Sequence, residues 1–423
     1  MDEPLTISAG RAVTPLSLPL PLVGFMGRPL AREVDEPLET NALLLRCGPE
    51  VVLLLSTDGL YVSESLKTEL RRRLGGLPDI PDSHILWAAS HTHRAPALEG
   101  SKPFAGRPDP KFLEEFLCAV AAMVSELIRR DSQGSRWTYA TAQADHSINR
   151  RRRVFDPRRM KREFRFVPNA SGLRQEEIAV LGVRDGRGEL AAVIWQYACH
   201  PVSHLYNEHV SADYPGAVRA HLRRQLGNDD LPVLFFQGFS GNTRPKSFDQ
   251  GRGAISRLKR RLYGQVFGLF SPEGYAQWTA GLAQKVSAAL AEARPVPADA
   301  LCARATQLPL GELIEGAPAD RALSLQSVAI GPDIVLVGLS AEVVVEYDAM
   351  VKKLFGRAIV IPVSCIDTTY GYLPTDTILR EGGHEANGFI EEFGLTGRYR
   401  PHPEVRVLKA LESILPVLPA HQA

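Results

Sequence analysis

The feature that most constrains the fold is a succession of short apolar runs, most of them apolar at every position, separated by amphipathic helical stretches. NALLLRC and VVLLLST, spanning Leu43 to Ser56 and divided by Gly48-Pro49-Glu50, read as a hairpin of strands buried on both faces. The run in HILWAAS, Ile178 to Val183, Leu190 to Ala198, Pro232 to Gln237, Asp333 to Leu339 and Ala358 to Val363 have the same character. Trp137 to Ile148, Leu301 to Leu308 and Leu323 to Ile330 complete the strand set. Between them, Ser63 to Leu74, Ala212 to Leu226, Pro272 to Ala293, Val343 to Phe355 and Val405 to Leu415 read as helices. Lys111 to Arg129 carries Phe112, Phe116, Val120, Met123 and Leu127 at the spacing of one helix face. This alternation predicts an α/β fold, a mixed or mostly parallel sheet with helices on both faces, whose ligands bind at the carboxyl ends of strands.

Several chemistry-bearing residues fall where a strand runs out. HILWAASHTHRAP ends an apolar run in His91 and His93, which on a strand would face the same way. Leu190 to Ala198 runs into Cys199-His200-Pro201, and Asp333 to Leu339 into Ser340-Ala341-Glu342. The turn GFSGNTRP and the segment Tyr370-Gly371-Tyr372 follow other strands. Taken singly each has a plain structural explanation: His200 as a hydrogen-bonded core histidine, Glu342 as a carboxylate favouring a helix N-terminus. Together His91, His200 and Glu342 offer two imidazoles and a carboxylate on rigid strand ends, a donor set that zinc accepts while keeping a position open for water.

Composition narrows the partners. With 423 residues, 49 basic and 48 acidic side chains and a net charge of +1, there is no global field to attract nucleic acid or an anionic membrane. Cys47, Cys118, Cys199, Cys302 and Cys365 are odd in number and form no Cys-x-x-Cys, which argues against a disulfide framework or a thiolate zinc site. The opening MDEPLTISAG lacks the basic region of a signal peptide and no stretch is long enough to span a membrane, so a cytoplasmic protein is expected. Two segments are locally basic: Asn149 to Arg165, with four consecutive arginines from Arg150 to Arg153, which reads as a solvated loop or a site element, and about 246–272, which reads as an insertion or lid carrying Arg252 to Arg261.

On these residues the chain resembles the amidase domain of the neutral, non-lysosomal ceramidases, a family of zinc-dependent amide hydrolases, over nearly its whole length and in motif order. SHTHRAP resembles the family's paired-histidine motif, which implies zinc binding by His91 and an assisting role for His93. INRR at Ile148 to Arg151 is similar to an Asn-Arg segment that implies a site role for Arg150 beside Asn149. ACHPVS maps a second zinc histidine to His200, and SAE the zinc glutamate to Glu342. GYLPT, followed by EGGHE, resembles a segment that contributes a zinc-bound tyrosine; the ungapped match places Thr369 there, and a loop one residue shorter places Tyr370. In GNTRP the ceramidases' catalytic serine is replaced by Arg244, and the chain is too short for the C-terminal sandwich domain of the ceramide-cleaving members.

The expected protein is therefore a single ceramidase-like catalytic domain. It holds one zinc per chain through His91, His200, Glu342 and Tyr370, and cleaves an amide or related acyl bond by water activated on the metal. His93 and Arg150 are the candidates for catalysis; Asn149, Asn242, Arg244 and Tyr372 are the candidates for substrate binding. So many guanidinium groups beside the site favour a small or medium polar, acidic substrate over a hydrocarbon chain. Two other readings compete: a serine hydrolase using Ser240 of Gly238-Phe239-Ser240-Gly241, and a non-catalytic polyanion binder. Oligomeric state stays open.

Overall fold

The structure, a computed structural model, describes residues 4–417 apart from 26, 76–79, 103, 105, 157–158, 204, 207 and 252. Arg252 of the basic insertion thus lies outside the described residues. The chain builds three principal sheets in sequence. The first holds β1 (Thr6–Val13), β2 (Glu39–Cys47), β3 (Glu50–Thr57) and, after helix α1 (Glu64–Leu74), β4 (Ile85–Ala89), in the order β4-β3-β2-β1. Helix α2 (Pro110–Arg129) follows. It opens on Pro110, whose fixed φ and missing N–H suit the first helical position, and the Asp109 carboxylate before it caps the Phe112 amide.

The second sheet holds β5 (Arg136–Gln143). The hairpin β6 (Ser147–Asp156) and β7 (Lys161–Asn169) then leaves it before β8 (Glu177–Arg184) and β9 (Leu190–Tyr197) return. After α3 (Asp213–Leu226) comes β10 (Val233–Gln237), giving the order β10-β9-β8-β5. Helices α4 (Ala254–Tyr263) and α5 (Pro272–Glu292) lead to the third sheet. It runs in chain order through β11 (Leu301–Pro309), β12 (Ala322–Ile330), β13 (Ile334–Leu339) and, after α6 (Tyr347–Phe355), β14 (Ile359–Val363). Helix α7 (Pro403–Glu412) closes the fold.

The three sheets bury one face against each other and the other under helices. Leu43, Leu45, Leu54 and Leu86 of the first sheet, Leu181, Ile194 and Leu234 of the second, and Val328, Leu336 and Ile361 of the third share one central core. Their neighbours in sequence face outward, as the two-residue period of a strand requires. Leu44, Leu53 and Trp87 pack under α1 and α2, Val193, Trp195 and Phe235 under α3 and α5, and Val335, Val337 and Leu339 under α6 and α7. Replacing one of these fully buried leucines, such as Leu54, by alanine should cost about 2–5 kcal/mol.

Three expectations need correction. The sheets are mixed but largely antiparallel: tight hairpins join β2 to β3, β8 to β9 and β12 to β13, and longer connections return the chain antiparallel at β1–β2 and β11–β12. Parallel pairing occurs in them where a helix carries the chain over, at β3–β4, β9–β10 and β13–β14. The helices also cover one face of each sheet rather than both, since the other face is taken by the neighbouring sheets. The arginine run is not a loop but strand β6, with Arg150 and Arg151 buried and Arg153 exposed.

Candidate metal centre

Two of the three helix crossovers begin at a site residue, and the third delivers the strand that another site residue follows. His91 follows β4, His200 follows β9 and Glu342 follows β13. The expected reason for the convergence of His91 and His93 is replaced by another: β4 stops at Ala89, and His91 adopts φ 65°, a left-handed conformation uncommon outside glycine. The kink nonetheless leaves the two imidazole centroids 5.0 Å apart. Gly24, at φ 99°, passes so close to His93 that an added Cβ would lie 2.6 Å from its Nδ1. Gly241 allows the turn after β10 to press on the Glu342 backbone, where a Cβ would meet the carbonyl oxygen at 2.5 Å.

The donor atoms converge with their outer sides already committed. His91 Nδ1 lies 3.0 Å from the Leu60 carbonyl, and His200 Nδ1 lies 3.0 Å from the Ser240 carbonyl. A carbonyl can only accept, so each Nδ1 carries the hydrogen and each Nε2 presents a lone pair inward. Those two Nε2 atoms are 3.1 Å apart. Glu342 Oε2 stands 3.5 Å from the first and 3.4 Å from the second, buried and without a hydrogen-bond partner. Three electron-rich atoms so placed repel one another unless a cation lies among them, and two imidazoles with a carboxylate are donors that zinc takes. His93 belongs to the same group: its ligand atom and those of His91 and His200 lie within 4.8 Å of one another.

The electrostatics follow from burial and neighbours. Burial, then Arg150, pushes His200 down to about 4. Burial, then His91 and His200, holds His93 well below the ordinary imidazole range. For His91 burial acts downward but, without a metal, is outweighed by Cys365 and Glu342, which raise it to about 10, so that a proton on Nε2 takes the place a bound cation would claim. Burial likewise acts to raise Glu342, but the histidines outweigh it and keep the carboxylate ionised.

Among solved structures, neutral ceramidase from Pseudomonas aeruginosa matches all of this chain (100%) and 77% of its own, with a TM-score of 0.74 and 16% identity. The chain has the neutral ceramidase fold. A ceramidase complexed with C2 matches by the same measures. No protein-family model and no curated protein matches the chain, so the likeness resides in tertiary structure.

Within this ceramidase fold the remaining candidates separate. A cavity of about 340 Å³ is lined by His93, His200, Glu342, Arg150, Arg244 and Tyr372, together with aromatic residues that include Phe25 and Phe166. Arg150 is buried, donating from Nε to Glu385 (2.8 Å) and from Nη2 to the Tyr372 hydroxyl (3.0 Å). Glu385 also accepts from Arg151 at 2.8 Å, so the charge of Arg150 is already balanced. Arg244 is different. Its guanidinium lies 4.4 Å from the Phe267 ring centre, its Nε is buried without a partner, and no described carboxylate pairs with it. Burial, then Arg150, lowers it to about 10.

Asn149 and Asn242 have structural partners instead. Asn149 donates to the Leu173 carbonyl (2.8 Å) and accepts from the Arg151 amide (2.8 Å). Asn242 donates to Glu346 (2.8 Å) and accepts from the Val345 amide (2.9 Å). Tyr370 is half-buried with Arg321 over its ring at 5.4 Å, and it does not line the cavity. Thr369 is fully buried with its hydroxyl unpartnered. Ser240 Oγ is engaged by the Gln237 amide rather than by an imidazole, which removes the base a serine nucleophile needs. Sequence reasoning missed Tyr61, whose hydroxyl donates to Glu342 Oε1 at 2.6 Å, and Cys365, whose sulfur lies 3.6 Å from His91 Nδ1. Tyr61 follows β3 as His91 follows β4, so its place at a strand end was the available signal.

Proposed function

We propose that the chain is a zinc-dependent hydrolase that cleaves an amide or related acyl bond in a small or medium polar, acidic substrate. The observation that carries this reading is the unpartnered Glu342 Oε2 facing the Nε2 atoms of His91 and His200. His91, His200 and Glu342 would hold the ion, with His93 within reach of it. Bound there, zinc supplies Lewis acidity that brings the pKa of a water toward neutrality and polarises a carbonyl.

The chain's own residues account for the rest. His93 has its Nδ1 3.1 Å from the Gly24 carbonyl and its Nε2 unpartnered, so that nitrogen is free to take a proton and return it to the leaving group. Arg150 and the Tyr372 hydroxyl present donors to charge developing on the acyl oxygen. Arg244, lacking a carboxylate of its own, grips the acidic group of the substrate. The reading treats the chain as one catalytic domain with a basic insertion at about 246–272. We place it in the reducing cytoplasm, a choice supported by five widely spaced cysteines that form no Cys-x-x-Cys.

The test is elemental analysis joined to a substrate screen. The purified protein should carry about one zinc per chain. His200→Ala should lose most of it, and a chelator should abolish hydrolysis of acidic acyl amides. A metal-free parent protein, or unchanged zinc in His200→Ala, overturns the proposal.

A further inference from the structure

Helix α4 has no buried residue along its whole length. Its three large aliphatic side chains are among the most exposed described: Ile255 at 72%, Leu258 at 57% and Leu262 at 48%. At i, i+3 and i+7 they form one stripe. Lys259 borders the stripe on one side and Arg261 on the other, with Arg257 next beyond Arg261, all exposed, and AISRLKRRLY contains no acid. The opposite side is anchored. Tyr263 packs with Val154, Val167 and Val266, Arg260 donates to the Asp249 carboxylate (3.1 Å) and to the Gly251 carbonyl (2.6 Å), and Arg152 donates to the Tyr263 carbonyl. These contacts hold the stripe outward.

Charge decides what suits such a face. A second copy would set Arg257, Lys259 and Arg261 against the same three cations. A nucleic acid would satisfy the cations and leave the aliphatic stripe in water. An anionic bilayer surface satisfies both, with side chains entering the boundary between headgroups and acyl chains while the basic flanks meet phosphates. No described helix is long and apolar enough to cross a membrane, so the contact would be superficial. We infer that α4 docks the protein on an anionic lipid surface through Ile255, Leu258 and Leu262. A groove lined by Lys259, Tyr263, Phe166 and Phe267 adjoins the helix, and Phe166 also lines the metal-site cavity. Docking would therefore bring the cavity close to the lipid surface.

Co-sedimentation with vesicles tests this without any substrate. The protein should bind vesicles of equal parts phosphatidylcholine and phosphatidylglycerol, bind pure phosphatidylcholine far less, and release as salt rises. The triple variant Ile255→Ser, Leu258→Ser, Leu262→Ser should bind at least about tenfold more weakly, as loss of three inserting side chains implies. Arg257→Glu with Arg261→Glu should weaken binding similarly. All five positions are exposed, so circular dichroism should be unchanged in both variants. Protein stripped of metal should bind as well as the parent, which separates this inference from the zinc proposal. No binding by the parent, equal binding to both vesicle types, or unchanged binding by the triple variant overturns it. So would a parent dimer that the triple variant dissolves, since the stripe would then belong to a second copy.

Discussion

Tyr61 donates a 2.6 Å hydrogen bond to Glu342 Oε1, and Oε2 of the same carboxylate is the atom that faces His91 and His200. The phenol thus decides which oxygen is presented to a metal. Tyr61→Phe keeps the ring and its edge contacts with Phe104 and Phe393 but frees the carboxylate to rotate. Zinc affinity should fall about 10–100-fold, the usual effect of removing a group that orients a ligand. Competition with a chromophoric chelator measures it, and unchanged affinity would reduce Tyr61 to packing.

Arg244 and Arg150 should separate in kinetics. Arg244 has no described carboxylate partner, so Arg244→Ala should raise KM for an acidic acyl amide by about tenfold or more, the equivalent of a lost charged hydrogen bond of about 1.5–3 kcal/mol. Its zinc content should stay that of the parent. A neutral isostere of the same substrate should be affected much less, and equal effects on both would argue against an anion contact.

Ser240→Ala should retain zinc and most activity, because Oγ is held by Gln237 and has no imidazole partner. Covalent labelling of Ser240 by a fluorophosphonate with loss of turnover would restore the serine mechanism.

His146 gives the protein a pH-dependent stability away from the site. Burial, then Lys285, lowers it to about 4, and its ring packs edge-on to Trp278. A depressed histidine favours the neutral form in the folded state, so its contribution is complete above the unfolded value of about 6.5 and is lost as pH falls from there toward 4. Allowing for its partial exposure, the loss should be on the order of 1–2 kcal/mol. Urea unfolding across that window should show a shallower slope for His146→Gln.

Much of the architecture was legible because strand and helix periodicities are local. VVLLLST and IVLVGL are apolar at nearly every position, and they lie in strands buried on both faces. The amphipathic pattern from Phe112 to Leu127 likewise became α2. Strand ends were readable too, which is why His91, His200 and Glu342 could be named. The arginine run was not: Arg150 and Arg151 are buried only because Glu385, more than 200 residues away in sequence, accepts from both.

What the sequence by itself determined was the set of strands and helices and the residue types waiting at their ends, since those depend on the chain's own periodicity. Tertiary structure alone decided which ends meet. It put Tyr61, 281 residues from Glu342, on the carboxylate that Tyr370 had been expected to accompany, and it gave Asn149 and Asn242 structural partners instead of the cavity. It also turned the stripe of α4 outward. Local sequence sets the direction of a side chain relative to its own strand or helix; the partner it reaches is set by how three separately formed sheets pack on one core.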